Sequence, residues 1–476
     1  MPRSLRHICQ AAILLVVSAV GVPNAIVSGQ VRPDAHPAGS DTPAAGGDAS
    51  ATDGTSNGSD AEPNSPDSDN STSAESQARE SSDAPPVVRP RIQADRRLFL
   101  GFEDIHKELV ELPDSLLRPE VHALGPVTSE LLYTGEWFNN ARGGLSTADA
   151  TAYVGNLDLT LTMHFDQLGW EKMGKLVVYG QQHTGPGISG RFTGDAQTLS
   201  NLDAENFTQL SAYFWQRSFV DDLISTQLGF QDANSTFCAL DTASGFISSS
   251  FGLIPTVPLP TFPSPAIGAT ITVQLTDSIT WMVGVFDDRQ AGSVGTFRLD
   301  PSGQIWLTEL QTHGTLFGND ALKREFFAGY WYQTTGRMEI ATERYSADNY
   351  GFYLAGEQVL TQERDTSDEG LAVFGQFGWA PDTRNDLEFY YGVGVVYHGI
   401  IPGRDSDSLG LGLASVQFTD KLVADSGLTY ENAIELFYVA QLTPWAQLHP
   451  DVQYIANPGG NGRDAIAVGL RYQIQF

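Results

Sequence analysis

Cysteine is almost missing from this sequence: there are two in 476 residues. Cys9 falls in the first apolar run, so Cys238 stands alone in the rest of the chain. An intrachain disulfide and a cysteine metal site are both excluded. Basic residues are also scarce, with 27 Lys and Arg against 57 Asp and Glu and a formal charge of −30. That balance excludes nucleic acid as a partner, because phosphate binding needs a surplus of positive charge. Catalytic signatures are absent: there is no G-x-S-x-G elbow, no phosphate loop and no H-E-x-x-H. The 9 histidines are scattered and show no ligand spacing. Asp287-Asp288 and Asp405-Ser-Asp407 lack a full set of calcium ligands and read as solvated turn acids. No cofactor and no metal is expected. After the first apolar run no stretch is long and oily enough for a membrane helix.

The N-terminal quarter divides into three parts. Residues 1–29 carry Arg3 and Arg6, then an apolar run over 11–22, then the small residues Val27-Ser28-Gly29. This is the build of a secretory signal, and the run is shorter than the ~20 residues that span a bilayer. Residues 30–95 are Ser, Asp, Ala, Gly and Pro with almost no large apolar side chains. Such a segment cannot bury enough surface to offset its ordering entropy, so it reads as a disordered acidic linker. Further on, Phe102, Ile105, Leu109 and Leu112 fall at helical spacing before Pro113, which predicts a short amphipathic helix.

From residue 96 the chain reads as one all-β unit. The final stretch shows why. Ile466, Val468, Leu470, Tyr472, Ile474 and Phe476 form one apolar row, while Ala465, Ala467, Gly469, Arg471, Gln473 and Gln475 form a small and polar one. Strand side chains alternate between faces, so this strand has one oily and one wet side. Residues 152–166 repeat the pattern, with Tyr153, Leu157, Leu159, Leu161 and Met163 opposite Asn156, Asp158, Thr160, Thr162 and His164. Similar segments recur near 129–137, 175–183, 208–217, 223–231, 267–276, 279–286, 303–312, 323–334, 350–360, 371–380, 386–398, 408–418, 430–442 and 446–456. That makes about 16 strands, alternately lipid-facing and lumen-facing, as a transmembrane antiparallel β-barrel requires. Tight links such as 277–278 contrast with long ones at 184–207 and 232–266. The second of these holds Pro255, Pro258, Pro260, Pro263 and Pro265, which stiffen it and keep it out of a sheet. An inward fold that narrows the channel is the expectation.

Several short motifs carry a family resemblance. They are Tyr133-Thr-Gly-Glu136, Gly194-Asp-Ala-Gln-Thr-Leu-Ser-Asn201, Ser249-Ser-Phe-Gly252, Val285-Phe-Asp287 and Gly399-Ile-Ile-Pro-Gly-Arg404. The most specific group runs from Thr443-Pro-Trp445 through Pro450-Asp-Val-Gln-Tyr454 to Asn457-Pro-Gly-Gly460. With these the chain resembles the carbohydrate-selective porin (OprB) family over roughly 98–476. The resemblance implies a 16-stranded barrel in the outer membrane of a Gram-negative-type envelope and passive diffusion of small carbohydrates. The ending Tyr472-x-Ile474-x-Phe476 resembles the signal read by the barrel-assembly machinery. A trimer is common among porins, and nothing in the sequence chooses between that and a monomer.

A channel for sugars needs polar side chains that replace lost water and an aromatic surface, with binding weak enough to release the solute. Glu136, Asn156, Asp158 and Gln181 fall on rows expected to face the lumen. Gln227 and Gln231 share a row, and Asn234 follows at the start of the long loop. His183 and Arg191 flank a Gly-rich loop, where they are placed to pair with acids. Phe214 and Trp215 are neighbours, so one of the two faces inward, and Trp215 joins the candidates. Trp281, Tyr330, Trp331, Trp379, Tyr397, Trp445 and Tyr454 read as the aromatic girdle at the lipid interface. For each candidate the bland alternative is a wall residue bonded to water. Two other function classes compete: an outer-membrane barrel enzyme such as a lipid hydrolase, and a surface β-protein that binds glycans. The acidic balance predicts a lumen that admits cations over anions. Reversal potentials in a salt gradient check this, and anion preference would contradict it.

Overall fold

The computed structural model describes residues 122–288, 303–340, 342, 344–363 and 369–476. The signal at 1–29, the linker at 30–95 and the amphipathic segment at 98–112 lie outside the described residues. The barrel strands in chain order are β2 (Val127–Arg142), β3 (Thr151–His164), β4 (Lys175–Thr184), β5 (Phe207–Phe219), β6 (Ile224–Gln231), β7 (Ala266–Thr276), β8 (Ile279–Asp287) and β9 (Gln304–Leu316). They continue with β10 (Asn319–Gln333), β13 (Asn349–Val359), β14 (Gly370–Trp379), β15 (Leu387–His398), β16 (Ser408–Phe418), β17 (Tyr430–Thr443), β18 (Ala446–Ala456) and β19 (Ala465–Gln475). A short β1 (His122–Leu124) pairs with the start of β2. A small hairpin, β11 (Arg337–Met338) and β12 (Tyr345–Ser346), stands apart between β10 and β13. The 16 long strands form a closed antiparallel ring. Closure is made by β19 on β2, with Ile474 opposite Tyr133 and Arg471 opposite Glu136. A closed ring satisfies every strand within itself and leaves no open edge in lipid.

The segments read from alternation all appear as strands. Alternation also sorts the faces. Val468, Val452, Leu436 and Leu411 are exposed on the outer face. Arg471, Gln473, Asp451 and Gln453, on intervening positions of the same sheet, are buried on the inner face. Tight links at 277–278, 317–318 and 444–445 lie at one end of the barrel, and the long connections 185–206 and 232–265 lie at the other. Both β2 and β19 have their outer chain ends on the tight side, where the Phe476 N–H donates to Leu131 O at 2.9 Å.

Two features depart from simple alternation of oily outside and wet inside. Trp331 belongs to the interior and not to the lipid girdle: it is fully buried. Tyr330, Trp331 and Tyr332 are consecutive, so they cannot share a face, and Gly351 on the paired strand leaves the space that the indole fills. The second departure is general. The inner rows of β8 to β17 carry Phe286, Leu307, Phe327, Tyr353, Phe374, Tyr390 and Phe437, all buried. They pack against Phe237, Phe246, Phe251, Ile254 and Val257 from the 232–265 connection. The proline-rich segment therefore does fold inward, and half of the barrel wall serves as the floor of a hydrophobic core. Each buried Phe contributes about 1.5–3 kcal/mol relative to an exposed one.

Seating these rings needs room at the wall. An added Cβ at Gly412 would come within 2.6 Å of Phe246 and 2.7 Å of Phe251, and one at Gly394 within 2.4 Å of Phe374. Gly412→Val is expected to push both loop rings off the wall and to cost about 1–3 kcal/mol, the usual penalty for overpacking. The check is the temperature at which the folded band converts to the unfolded one on a denaturing gel. An unchanged midpoint would contradict this seating.

Candidate functional site

The interior is shaped by two in-folded loops and by the carboxylates that hold them. Glu435 on β17 accepts the backbone N–H groups of Ile247 at 2.6 Å and Ser248 at 2.8 Å. Glu309 on β9 accepts the N–H of Cys238 at 2.9 Å and the hydroxyl of Tyr353 at 2.8 Å. Glu357 on β13 accepts the N–H of Thr242 at 2.8 Å. The Tyr390 hydroxyl and the Gln376 amide on the neighbouring strands donate to the carbonyls of Ser250 and Phe251. The 232–265 loop is thereby stitched across β9 to β17.

The 185–206 loop is held in the same way on the wall beside it. Glu431 accepts the N–H groups of Ala196, Gln197 and Gly459 at 2.6–2.8 Å. The Gln453 amide donates to Leu199 O. Glu136 on β2 accepts the Ser200 hydroxyl and pairs with Arg471 on β19 at 3.0 Å, both side chains almost wholly buried. Arg471 also donates to Asn201 Oδ1 at 2.6 Å. The two loops bond to each other, with Asn201 N donating to Ile247 O and Ser249 N to Thr198 O. Within the loops, burial pushes the carboxyls of Asp195 and Asp232 up from their ordinary value, against the hydrogen bonds they accept. Both act as local clasps, Asp195 for the hydroxyls of Ser189 and Thr193 and Asp232 for Thr261 and the N–H of Phe262.

Apart from the Gln209 amide on β5, which donates to Pro263 O at 2.9 Å, loop contacts of this kind fall on β9 to β19 and β2. The opposite wall, β3 to β7, carries many polar inner side chains beside a small apolar cluster of Val177, Ala212 and Phe214. Asn156, Asp158, Gln181, Gln227 and Gln231 all lie there and are buried among their neighbours. Asn156, Tyr179 and Gln181 donate to Asp158 Oδ1 at 2.8, 2.7 and 2.9 Å. Gln181 Oε1 accepts the Ser211 hydroxyl. Gln231 donates to Gly268 O at 2.9 Å and accepts from Thr270. Gln216 and Gln227 face each other across β5 and β6.

Four candidates sit differently from their sequence reading. Trp215 is on the outer face, donating its indole N–H to Met173 O near the tight-turn end. A bulge opposite Tyr179-Gly180 puts both Ser211 and Ala212 inside and shifts the parity, so Phe214 takes the inward place. Arg191 is exposed with its guanidinium over the Phe192 ring at 4.6 Å, and among the described residues no carboxylate pairs with it. His183 is buried against rings instead of acids, stacked on Phe207 at 5.2 Å and edge-on to Phe262 at 5.9 Å. Asn234 caps the loop from within, its amide donating to Phe237 O at 3.2 Å. Only Glu136 among the anchoring carboxylates was singled out from the sequence. Glu309, Glu357, Glu431 and Glu435 were missed, although Glu431 and Glu435 share an inward row of β17 that alternation alone identifies.

Glu435→Ala would leave two buried backbone donors without their acceptor, at about 1.5–3 kcal/mol for each charge-assisted bond lost. The expected outcome is a loosened loop: noisier single-channel current and protease cleavage within 232–265. Current as quiet as that of the unaltered protein would contradict the anchoring role.

A model of the "Carbohydrate-selective porin, OprB family" matches residues 148–476. Porin B of Pseudomonas aeruginosa is 23% identical over 222 residues, which is 40% of this chain and 47% of that protein, so the match spans about half of the relative's length. Among solved structures, the high-pH form of Pseudomonas putida OprB superposes with a TM-score of 0.67 at 20% identity, covering 74% of this chain and 94% of the other. The low-pH form of the same protein gives a TM-score of 0.50 at 18% identity over 74% and 93%. These structural likenesses establish the shared fold.

Proposed function

We propose that this chain, which belongs to the carbohydrate-selective porin (OprB) family, passes small neutral sugars along the inner faces of β3 to β7. The chain is an outer-membrane porin, a passive β-barrel channel and not an enzyme. The readings as a lipid hydrolase or a surface glycan-binding protein fall away with that assignment. One observation carries the proposed path. The wall without carboxylate anchors presents amides and hydroxyls, from Asn156 and Gln181 through Ser211 and Gln227 to Gln231 and Thr270. An amide offers donors and acceptors together, so it replaces the water lost from sugar hydroxyls without holding a charge against the solute. Across the lumen Glu309, Glu357, Glu431 and Glu435 are occupied by backbone N–H groups, which keeps them from gripping a permeating ion.

Residues 1–29 direct export, residues 30–95 act as an acidic spacer, and the barrel unit begins at 96. The exposed terminal Phe476 is the feature offered to the barrel-assembly machinery. The path lies within one barrel, so the proposal holds for a monomer and for a trimer alike. Proteoliposomes containing the protein should swell in isosmotic monosaccharide, and more slowly in disaccharide. Swelling no faster than that of protein-free vesicles would overturn the reading.

A further inference from the structure

Asp158 is held unlike the loop-anchoring carboxylates of the inner wall; Asp451, which also takes no loop amide, accepts the Gln453 amide at 3.1 Å. Glu309, Glu357, Glu431 and Glu435 take backbone N–H groups from the in-folded loops, and Glu136 pairs with Arg471. Asp158 touches no loop amide and no cation. Its three donors, Asn156 Nδ2, Tyr179 Oη and Gln181 Nε2, are neutral and all converge on Oδ1. Among the described residues Oδ2 accepts from none, and it is not one of the sealed orphan atoms of the interior. Asp158, 9% exposed, is thus fixed in orientation, with its second oxygen free of a donor among the described residues.

An aromatic surface stands beside it. Across β3, β4 and β5, Asp158 aligns with Gln181 and Gln209. The next inward row aligns Asn156 with His183 and Phe207. Phe262 from the in-folded loop meets Phe207 at 5.7 Å and His183 at 5.9 Å, closing the cluster. Adjacent inward rows are about 6.6 Å apart, two residues of strand rise, which is close to the width of a sugar ring. A pyranose lying against the rings therefore brings a substituent to Asp158 Oδ2. A neutral hydroxyl there would gain a hydrogen bond. An ammonium group would gain that bond, the charge of the carboxylate and attraction to the faces of the nearby rings.

We propose that the β3–β5 wall is a subsite for protonated amino sugars, with Asp158 receiving the ammonium group and Phe207 and Phe262 the ring. This rests on the path assigned above but extends it from neutral sugars to cationic ones. The interaction is reversible binding, with no covalent step.

The test is block of single-channel current by glucosamine, glucose and N-acetylglucosamine at a pH where glucosamine is protonated. The three share a ring, and glucosamine alone carries the charge. Glucosamine should half-block at a concentration roughly fivefold or more below the other two, the size of one partly screened charge-assisted contact. Asp158→Asn, nearly isosteric, should bring the three sugars together. Phe207→Leu should weaken block by all three while keeping their ratio. Equal block by the three sugars in the unaltered channel would overturn the proposal. A glucosamine preference that survives in Asp158→Asn would also overturn it, because the charge responsible would then lie elsewhere. Swelling of proteoliposomes in glucose reads the general path separately, so failure of this subsite and failure of the porin reading give different results.

Discussion

The interior of this barrel depends on one kind of bond: a wall carboxylate accepting backbone N–H groups from a loop that has folded inward. A loop drawn into a barrel carries amide groups away from bulk water, and a buried N–H without an acceptor is costly. Neither loop has strand neighbours to supply acceptors. The wall supplies them instead. Glu435 serves two consecutive amides, Ile247 and Ser248, and Glu431 serves Ala196, Gln197 and Gly459. A carboxylate has acceptor capacity for several donors, and charge makes each bond stronger than a neutral one. Rigid strands hold these groups in position before the loop arrives.

Polar anchors fix where the loop lies, and apolar packing gives it adhesion. Phe246 and Phe251 are the core of the contact, their rings 4.3 Å apart and set against Phe374 and Phe437. Glycines on β15 and β16 provide the depth. The result is an asymmetric lumen. From β8 to β17 the inner wall is covered and partly apolar. Along β3 to β7 it keeps a run of polar side chains from Asn156 to Thr270. The buried Glu136–Arg471 pair sits where these regions meet at the closure of the ring, and Arg471 reaches Asn201 of the first loop. Breaking either partner would leave the other charge buried and unpaired, which is worse than never having had the pair.

The barrel was readable because its signal is local. A period of two persists through each strand whatever the strand packs against, and the ends differ from the reading by a few residues, as where β2 runs on to Arg142 and β10 begins at Asn319. Parity was readable except where an inserted residue reset it, and Trp215 lies just past such a bulge. Trp331 shows a different limit. Three aromatics in succession fit a girdle by composition, while the strand allows only every second one to face lipid. The anchors were unreadable for a third reason. Ile247 and Glu435 are 188 residues apart, and Gln453 and Leu199 are 254 apart. A backbone N–H has no identity in the sequence, so no spacing rule connects it to its carboxylate. The motifs Gly194 to Asn201, Ser249 to Gly252 and Asn457 to Gly460 prove to be the loop segments and turn that these carboxylates and their neighbours hold.

The acidity of the chain has to be weighed against where its acids lie. A surplus of −30 over the sequence suggests a strongly negative channel, but a charge acts on a solute only if it is free to face it. On the covered side of the lumen Glu309, Glu357, Glu431 and Glu435 face loop amides, whose N–H dipoles take up much of their field at close range. On the open side the polar groups are mainly the uncharged ones of Gln, Asn, Ser and Thr. Such groups bind hydroxyls by exchange for water, at little net gain per contact, which is what lets a solute leave as readily as it enters. Two tasks thus share one composition: inward glutamates hold the in-folded loops in place, and on the proposed path the amides are what a solute meets.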